Sequence, residues 1–483
     1  MIMSYDLLQK FYEKENELKL FELEIDGVYY WQLIRFELTK RIRVRLSSAA
    51  NSQSVSYTKR IISTVIAAIK EKRLLKKVDR HSILLLRPCV AVDKTTNKNM
   101  DHQYDFSDAF CTEECENIYA LGSYYSFPKT VKYNMSIAES RMILWKIKRI
   151  LFGRFSKKHV CEPRIIEMLS FIRDEYKTEI SVFEIIKIIQ YVVKQHIVYM
   201  TEWRRVFSAF NPRIVVLYPH YDTNMFAAIS AAQEMGISTL EIQHGLTNKY
   251  CPYYFLDTSL NNLCLPNYIA TFGDFWIQEM RLPESTKLKA VGSCYMEKML
   301  NSLGNDESTI NKLLVLINPD SAFELIDFII ENITEIVECG FKIAIKLHPR
   351  EHDNWKEKYP FLIREDIEVI SDPNISVYSE IAKSSHVIGI NTTTLFEAQA
   401  FKNKVVIILK KNNYYPMMPL VEAGVATLIS NKEELLQSLG KQPTDYEYDK
   451  TVFWKPNANK NMSRLINSIL ESDFDAKLRK GLL

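Results

Sequence analysis

Short apolar runs alternate with helical segments from residue 214 to residue 430, and this alternation constrains the fold more than any other feature of the sequence. Most of the runs are rich in Val, Ile and Leu. Strands that alternate with helices in this way form parallel sheets joined by right-handed crossovers. The predicted strands cover 214–217, 239–242, 268–271, 289–291, 313–317, 342–346, 367–370, 386–390, 405–409 and 426–429.

A polar segment at 301–311 divides the alternation into two units. Strand-like runs at 83–86 and 117–120 extend the first unit toward the N-terminus, where helical spacing dominates. We therefore predict an α/β protein with two Rossmann-like, doubly wound domains that face each other across a cleft. The predicted parts are an N-terminal domain with helical additions over 1–300, a C-terminal domain over 301–455 and a helical tail over 456–483. In such folds ligands bind at the carboxyl ends of the strands.

Glycine is scarce, and this disfavours several nucleotide-binding families. Only 13 of the 483 residues are glycine, whereas an average protein has about 7%. None of them are spaced as in the GxGxxG or GxxxxGK[ST] loops. A dinucleotide-binding site of the usual kind, a P-loop NTPase and a protein kinase are therefore poor interpretations. Any bound phosphate would be held by helix N-termini, hydroxyl groups and basic side chains.

The cysteine spacing and the net charge exclude further classes of protein. The eight cysteines form no CxxC pair, so we predict reduced thiols and neither a metal nor another cofactor. The 62 basic and 59 acidic residues nearly cancel, at a net charge of +3, and no nucleic-acid-binding module accompanies them. No run approaches the ~18 apolar residues of a transmembrane helix. These features predict a cytoplasmic protein without a nucleic-acid partner.

Polar residues follow the predicted strand 239–242 directly, in the order Gln243, His244 and Gly245. This order places the imidazole at the carboxyl edge of the first sheet, where the glycine would let the backbone turn. His244 there suits a base or a donor to phosphate or acceptor. A histidine that only caps a turn is the alternative.

Two more candidate bases, His220 and Asp222, follow the predicted strand 214–217 and open a helix. Asp222 also has the position of an N-cap, a role worth about 1 kcal/mol. We slightly favour His220 as the base for that reason.

A cluster of basic residues follows the predicted strand 342–346, which ends in Lys346 and continues through His348 and Pro349 to Arg350. The proline stops the strand and holds His348 in an extended conformation at its tip. Such a cluster suits the phosphates of an activated sugar. A solvated basic loop is the alternative.

Three threonines, Thr392, Thr393 and Thr394, follow the predicted strand 386–390 and begin a helix that contains Glu397. One of them would suffice as a cap. Hydroxyls together with free N–H groups at a helix start can hold an anion without glycine. Glu397, one turn further on, is placed to accept hydrogen bonds from ribose hydroxyls.

The order of these motifs resembles that of the GT-B glycosyltransferases of bacterial capsule and lipopolysaccharide assembly, over residues 213–430. Gln243, His244 and Gly245 resemble a first-domain motif of capsule-synthesis enzymes and CDP-alditol phosphotransferases. His348 and Pro349 are similar to the HP motif of sialyl-, polysialyl- and Kdo-transferases, which contacts the nucleotide phosphate. The threonines with Glu397 take the place of the serine/threonine motif of those enzymes.

The resemblance implies a metal-independent glycosyltransferase with the GT-B fold. It would transfer a sugar from a CMP- or UDP-linked donor to a glycan or lipid-linked acceptor of capsule or O-antigen. The donor would contact the basic cluster, the threonines and Glu397. His244, with His220 or Asp222, would supply catalysis, and Gln243 and Gly245 would lie on the acceptor side.

Other functions agree with parts of the same pattern. One is a CDP-glycerol or CDP-ribitol phosphotransferase, and another is a non-catalytic scaffold of a polysaccharide assembly complex. The non-hydrolysing UDP-GlcNAc epimerases share the fold but have an EAG-like motif in place of Gln243, His244 and Gly245. The base-carrying [DE][DE]G motif of sialyltransferases is absent here, and Ile25-Asp26-Gly27 is its nearest counterpart.

Two basic amphipathic segments, 40–80 and 142–158, combine lysines and arginines with apolar residues at helical spacing. Helices of this kind can lie on anionic lipid. They predict peripheral contact with the cytoplasmic face of the inner membrane. Ordinary helices with one buried face and one solvated basic face are the alternative.

Overall fold

The computed structural model describes most of the chain, with gaps that fall mainly in the first domain. The described residues are 5–46, 83–86, 118–122, 135–136, 162–217, 219–261, 263–303, 310–372, 374–401, 404–410, 416–442 and 449–479. Within them, no helix is long and apolar enough to cross a membrane.

The N-terminal residues form helices and a short antiparallel hairpin that pack beside the first sheet. Their elements are α1 (Tyr5–Glu17), β1 (Glu24–Ile25), β2 (Val28–Tyr29), α2 (Trp31–Leu46), α3 (Pro163–Tyr176) and α4 (Val182–Phe210). A buried ion pair joins α1 to α2, with Arg35 Nη2 at 2.7 Å from Glu15 Oε2. Arg35 also donates to the carbonyl of Pro252, which attaches these helices to the first domain.

The first sheet has seven strands. They are β3 (Ile83–Leu86), β4 (Ile118–Gly122), β5 (Met135–Ser136), β6 (Ile214–Leu217), β7 (Ser238–Ile242), β8 (Tyr268–Thr271) and β9 (Lys287–Ala290). Their spatial order is β5-β4-β3-β6-β7-β8-β9, and every pair is parallel. This is the doubly wound order, which reverses direction between β3 and β6.

The second sheet repeats the arrangement with six strands. They are β10 (Ile310–Leu316), β11 (Lys342–Lys346), β12 (Ile367–Ile370), β13 (Ser384–Gly389), β14 (Val405–Leu409) and β15 (Thr427–Ile429). The order is β12-β11-β10-β13-β14-β15, again parallel throughout. The strand order reverses between β10 and β13, so the residues after β13 lie where ligands bind in such sheets.

Helices connect the strands and cover the sheets. They are α5 (Thr223–Glu234), α6 (Asp274–Glu279), α7 (Cys294–Leu303), α8 (Ala322–Glu331), α9 (Ile333–Glu338), α10 (Trp355–Lys358), α11 (Val377–Lys383), α12 (Thr394–Glu397), α13 (Met418–Glu422), α14 (Lys432–Leu439) and α15 (Ala458–Arg479). The fold-class prediction is confirmed: two doubly wound α/β domains face each other. The helical segment between β10 and β11 is interrupted at Asn332, which separates α8 from α9.

Apolar packing and polar contacts join the two domains. One buried cluster contains residues of both sheets, and the ring of Phe396 in α12 lies 4.8 Å from that of Trp276 in α6. Asn248 donates to the carbonyl of Pro416 at 3.1 Å, and Lys249 pairs with Glu422 at 2.7 Å.

Helix α15 returns from the second domain and packs against the first. Asn461 Nδ2 donates to the carbonyl of Val291 at 3.0 Å, and Glu297 of α7 accepts from the backbone N–H of Ala458 at 3.1 Å. The segment that leads to α15 passes so close to the first sheet that a Cβ on Gly273 would lie 2.2 Å from the carbonyl oxygen of Val452. The return of the chain therefore needs glycine at this point.

We expect Gly273→Ala to destabilise the protein by about 1–3 kcal/mol, because the added methyl group overlaps backbone that cannot move without releasing α15. Urea denaturation would measure the change. Gly440→Ala is the matched control, since its Cβ would come no closer than 3.5 Å to the described atoms and its φ of −75° suits alanine. Equal stability of the two variants would contradict the close approach at Gly273.

Candidate functional site

A cleft of about 430 Å³, including its open mouth, lies between the carboxyl ends of the two sheets. Residues after β7 and β8 and residues of α6 and α7 form its first-domain wall. Residues of α11 and α12 and the segment before α15 form the opposite wall. The residues that line it are His244, Gly245, Leu246, Phe272, Trp276, Ser293, Tyr295, Met296, Tyr378, Thr393, Phe396, Glu397 and Trp454.

His244 is half-buried in the first-domain wall, immediately beyond β7. Its Nε2 atom lies 2.9 Å from the hydroxyl of Tyr221, whose ring is stacked on Tyr253 at 4.3 Å between centroids. Burial lowers the pKa of His244 to about 4, an effect that the Glu241 carboxylate opposes and His220 reinforces. The imidazole is therefore neutral at physiological pH and held in one orientation.

A fully buried polar cluster lies behind His244. The Nδ1 atom of His220 is 2.6 Å from Glu241 Oε2, and the hydroxyl of Tyr254 donates to Glu241 Oε1 at 2.5 Å. Burial acts to raise the pKa of Glu241, but the charge and hydrogen bond of His220 and the Tyr254 hydroxyl outweigh it and lower that pKa. The cluster therefore keeps a carboxylate beneath His244.

The other two candidate bases of the first domain, His220 and Asp222, have structural roles. His220 is completely buried and does not line the cleft, so it is placed to orient neighbours rather than to contact a ligand. Asp222 caps α5 and accepts from the N–H groups of Asn224 and Met225 at 2.8 and 2.9 Å. Burial raises its pKa, and these hydrogen bonds oppose the rise. Its side chain thus serves as the predicted alternative, an N-cap.

The turn after β7 is fixed by Gln243 rather than by glycine. The amide of Gln243 donates to the carbonyl of Gly245 at 2.9 Å and accepts from the N–H of Phe272 at 2.8 Å, and the side chain is fully buried. Gly245 lines the cleft, but its φ lies outside the left-handed region and a Cβ there would meet no described atom within 4 Å. The backbone turn that the glycine was expected to allow therefore does not use a conformation special to glycine.

Glu397 is the acidic group of the opposite wall, at the end of α12. Its Oε2 atom is buried without a hydrogen-bond partner among the described residues. Burial raises the pKa of Glu397 to about 7, and a hydrogen bond from Tyr378 opposes the rise. The burial of Tyr295, together with the charge of Glu397, raises the pKa of the Tyr295 phenol to about 12. The Oε2 atom of Glu397 is thus a buried acceptor to which no described residue donates.

The three threonines form the turn between β13 and α12. Thr392 Oγ1 donates to Thr394 Oγ1 at 3.2 Å, and Thr393 lines the cleft. The preceding Asn391 is held by Ser321 and Asn318 of the loop after β10. The fold therefore brings Thr393 and Glu397 to one wall of the cleft.

Lys346 and His348 lie further along the same sheet edge and do not line the cleft. Lys346 ends β11 and His348 follows it. Since β11 is two strands from β13, both residues are separated from the threonines by about 10 Å. Lys346 is buried, donates to the carbonyl of Asp372 at 3.3 Å and has its pKa lowered by that burial. The side chain of Arg350 lies outside the described part of the structure.

Glu397 produces a pH dependence of stability. The folded chain keeps this carboxyl protonated up to a pKa of about 7, whereas an unfolded glutamate ionises near about 4.3. The folded state thus binds more protons between these values, and its stability falls as the pH rises through them. We expect Glu397→Gln to be more stable than the parent protein at pH 8 and no more stable at pH 4, as measured by urea denaturation. An exposed control, Glu338→Gln, should not show this difference, and a difference independent of pH would contradict the assignment.

Comparison with solved structures finds similar chains at low sequence identity. The UDP-GlcNAc 2-epimerase of Methanocaldococcus jannaschii is 16% identical, with 80% of this chain and 99% of that chain covered and a TM-score of 0.45. The UDP-GlcNAc 2-epimerase of Neisseria meningitidis is 12% identical, with 80% and 99% covered and a TM-score of 0.44. A spinosyn rhamnosyltransferase is 10% identical, with 81% and 96% covered and a TM-score of 0.38. No family model and no curated protein matches the sequence.

The arrangement of the chain itself decides the fold: two sheets in Rossmann order face each other across one cleft. The chain has the GT-B fold. Within the described part of this GT-B chain, no group of three or more His, Cys, Asp or Glu residues is arranged to hold a metal ion.

Several residues of the site were not found from the sequence. Tyr378 and Tyr295 reach Glu397 from other helices, and Trp454 enters the cleft from the segment before α15. Glu241 has the appearance of an ordinary strand residue in the sequence, although a charged residue in a buried strand was a signal that could have been used.

Proposed function

We propose that this chain is a glycosyltransferase that transfers a sugar from a nucleotide-activated donor to a growing bacterial surface polysaccharide. One observation carries the proposal: a neutral imidazole, His244, and a buried carboxyl with an unfilled acceptor atom, Glu397, line the same interdomain cleft. The imidazole lies on one domain and the carboxyl group on the other. This arrangement suits a reaction between two substrates, because each domain can hold one of them.

The donor would be bound by the second domain. Ribose hydroxyls can donate to Glu397 Oε2, which satisfies the buried acceptor, and Thr393 adds a hydroxyl on the same wall. The phosphates would extend along the sheet edge toward His348 and Lys346. The distance of about 10 Å from β13 to β11 is comparable with the length of a nucleoside diphosphate.

The acceptor would be bound by the first domain beside His244. The acceptor hydroxyl oxygen attacks the anomeric carbon of the donor sugar, and the bond from that carbon to the phosphate oxygen breaks with its electron pair leaving on the phosphate. His244 takes the proton of the attacking hydroxyl, which a neutral imidazole can do. The Glu241 carboxylate stabilises the resulting imidazolium, and basic side chains such as His348 stabilise the departing phosphate.

A panel of nucleotides and donors would test the proposal by thermal shift and by product analysis with a lipid-linked or oligosaccharide acceptor. We expect UDP or CMP, or a sugar nucleotide that carries one of them, to stabilise the protein. The sugar nucleotide should yield free nucleotide only with acceptor present. Stabilisation by CDP-glycerol or CDP-ribitol alone would identify a phosphotransferase instead. Interconversion of UDP-sugars without acceptor would indicate an epimerase, and the absence of any stabilisation would favour a scaffold.

A lipid-linked acceptor is one of the two proposed forms of the acceptor, so contact with the inner membrane belongs to the same proposal. The basic segments 40–80 and 142–158 lie outside the described residues, except for the part of α2 over residues 40–46, in which the side chain of Ile42 is buried. We expect the protein to float with anionic vesicles and to leave them as salt rises, because each basic residue near the surface adds about 1 kcal/mol within a Debye length of ~8 Å. Reversing Lys72, Arg73, Lys76 and Lys77 to glutamate should release it without loss of activity on a soluble acceptor. Flotation of that variant would contradict the role of the segment.

A further inference from the structure

Helix α2 holds a short turn of the first domain, Pro252–Tyr254, at two points. Arg35 Nη1 donates to the carbonyl of Pro252, and the hydroxyl of Thr39, one helical turn further on, lies 2.9 Å from that of Tyr253. Thr39 donates its hydroxyl hydrogen to the carbonyl of Arg35 at 2.8 Å. Since a hydroxyl has only one hydrogen to donate, the Tyr253 phenol is the donor in its pair with Thr39.

These contacts are buried, and their α2 end is fixed by α1. Glu15 of α1 accepts from Nε and Nη2 of Arg35 at 2.7 Å each, and it also accepts from the indole N–H of Trp31 at 2.7 Å. Thr39 is completely buried, and Tyr253 is 8% exposed. A guanidinium held by two parallel hydrogen bonds has little freedom to move. Helix α2 therefore presents Arg35 and Thr39 to the turn in one geometry.

The same turn contacts the surroundings of His244 on two sides. The ring of Tyr253 is stacked on that of Tyr221 at 4.3 Å with an angle of 17° between the planes, and the Tyr221 hydroxyl lies 2.9 Å from His244 Nε2. The hydroxyl of the next residue, Tyr254, donates to Glu241, whose charge acts on His244. Contacts that begin in α2 therefore reach the imidazole through these tyrosines.

We propose that Thr39 and Tyr253 are positioning residues for His244, because they hold Tyr221 and, through it, the imidazole in its place beside the cleft. Neither is among the described residues that line the cleft, so each acts through other side chains. A base that turns out of its reacting geometry loses rate although it is still present. The inference rests on the proposed function, in which His244 takes the proton of the acceptor. It gives α2, which lies outside both large sheets, a role in the site.

Removal of the hydrogen bond between Thr39 and Tyr253 from either side tests the inference. Thr39→Val replaces the hydroxyl with a methyl group, and Tyr253→Phe keeps the ring that is stacked on Tyr221. We expect each variant to lower turnover about fivefold, the size of one hydrogen bond, and to change the KM for the donor by less than about twofold. The double variant should lose no more than either single variant, because both changes remove the same contact. Thr39→Ser should keep most of the turnover. Unchanged turnover in the single variants, or losses that multiply in the double variant, would overturn the inference.

Tyr176→Phe is the matched control for a general loosening of the N-terminal helices. Tyr176 is also a buried tyrosine of this region, and its hydroxyl donates to the carbonyl of Leu7 at 2.6 Å. We expect this variant to lower the melting temperature about as much as Tyr253→Phe and to leave turnover unchanged. If Tyr176→Phe loses as much turnover as Tyr253→Phe, the stability of the helices and not the contact with Tyr221 sets the rate, and the inference is wrong.

A measurement without substrate separates this inference from the proposed function. NMR of protein isotope-labelled at histidine would follow the ring of His244, whose signal is identified by its loss in His244→Ala. We expect that signal to shift or broaden in Thr39→Val and in Tyr253→Phe, whereas the signal of His386, which is buried in β13 of the second domain, should stay the same. An unchanged His244 signal in both variants overturns the inference, whatever the activity. A changed signal in a protein that transfers no sugar supports the positioning of His244 and contradicts the proposed function alone.

Discussion

His244→Ala is expected to lower turnover by about 10²–10⁴-fold, the range for a lost general base, while the affinity for donor nucleotide stays within twofold. The reason is position, because His244 lies on the first-domain wall and the proposed donor contacts lie on the other. Steady-state kinetics together with calorimetry of the free nucleotide would separate the two quantities. Weaker nucleotide binding at unchanged turnover would place His244 on the donor side and contradict the proposed arrangement.

Tyr221→Phe is the matched variant for His244. It removes the hydroxyl 2.9 Å from Nε2 but keeps the ring that is stacked on Tyr253. We expect a smaller loss of turnover than in His244→Ala, because the imidazole remains but its orientation is less fixed. A loss as large as that of the alanine variant would mean that the tyrosine contacts the substrate itself.

His348→Ala is expected to lower turnover by about 10²–10³-fold, in the range of a lost donor to a developing oxyanion, with little change in melting temperature. His348 is half-buried at a strand tip rather than in the core, so its removal should not open a cavity. The measurement is turnover with a confirmed donor, followed by a thermal melt.

His352→Ala is the control for His348. It lies in the same loop, and its Nε2 atom is 3.1 Å from the backbone carbonyl of Leu347. We expect this variant to keep its turnover. An equal loss at both positions would mean that the loop, and not His348 itself, is needed.

The sheets could be predicted from the sequence because their signal is local. The apolar runs at Ile214–Leu217, Lys342–Lys346 and Val405–Leu409 were predicted to the residue. A strand buried on both faces needs a short continuous apolar run, and each such run is visible without knowledge of its neighbours. Strand ends follow from the same pattern, which is why His244 and Glu397 could be placed at the carboxyl edges.

The remaining parts of the site depend on contacts that are distant in the sequence. Trp454 reaches the cleft only because the chain crosses back to the first domain, and Gly273 permits that crossing. Neither fact is encoded in local periodicity. Likewise, the burial of Glu397 that raises its pKa comes from its surroundings in the folded chain and cannot be estimated from its own segment.

The return of helix α15 to the first domain has a consequence for folding during synthesis. Domains of long chains usually fold in order as they leave the ribosome. Here Val291 and Glu297 of the first domain receive their partners from residues 458–461, which are translated after the whole second domain. The apolar residues on the first-domain face that α15 covers therefore stay exposed until the second domain has been translated. During that time they are accessible to chaperones. The first domain is thus synthesised first, but its packing is completed last.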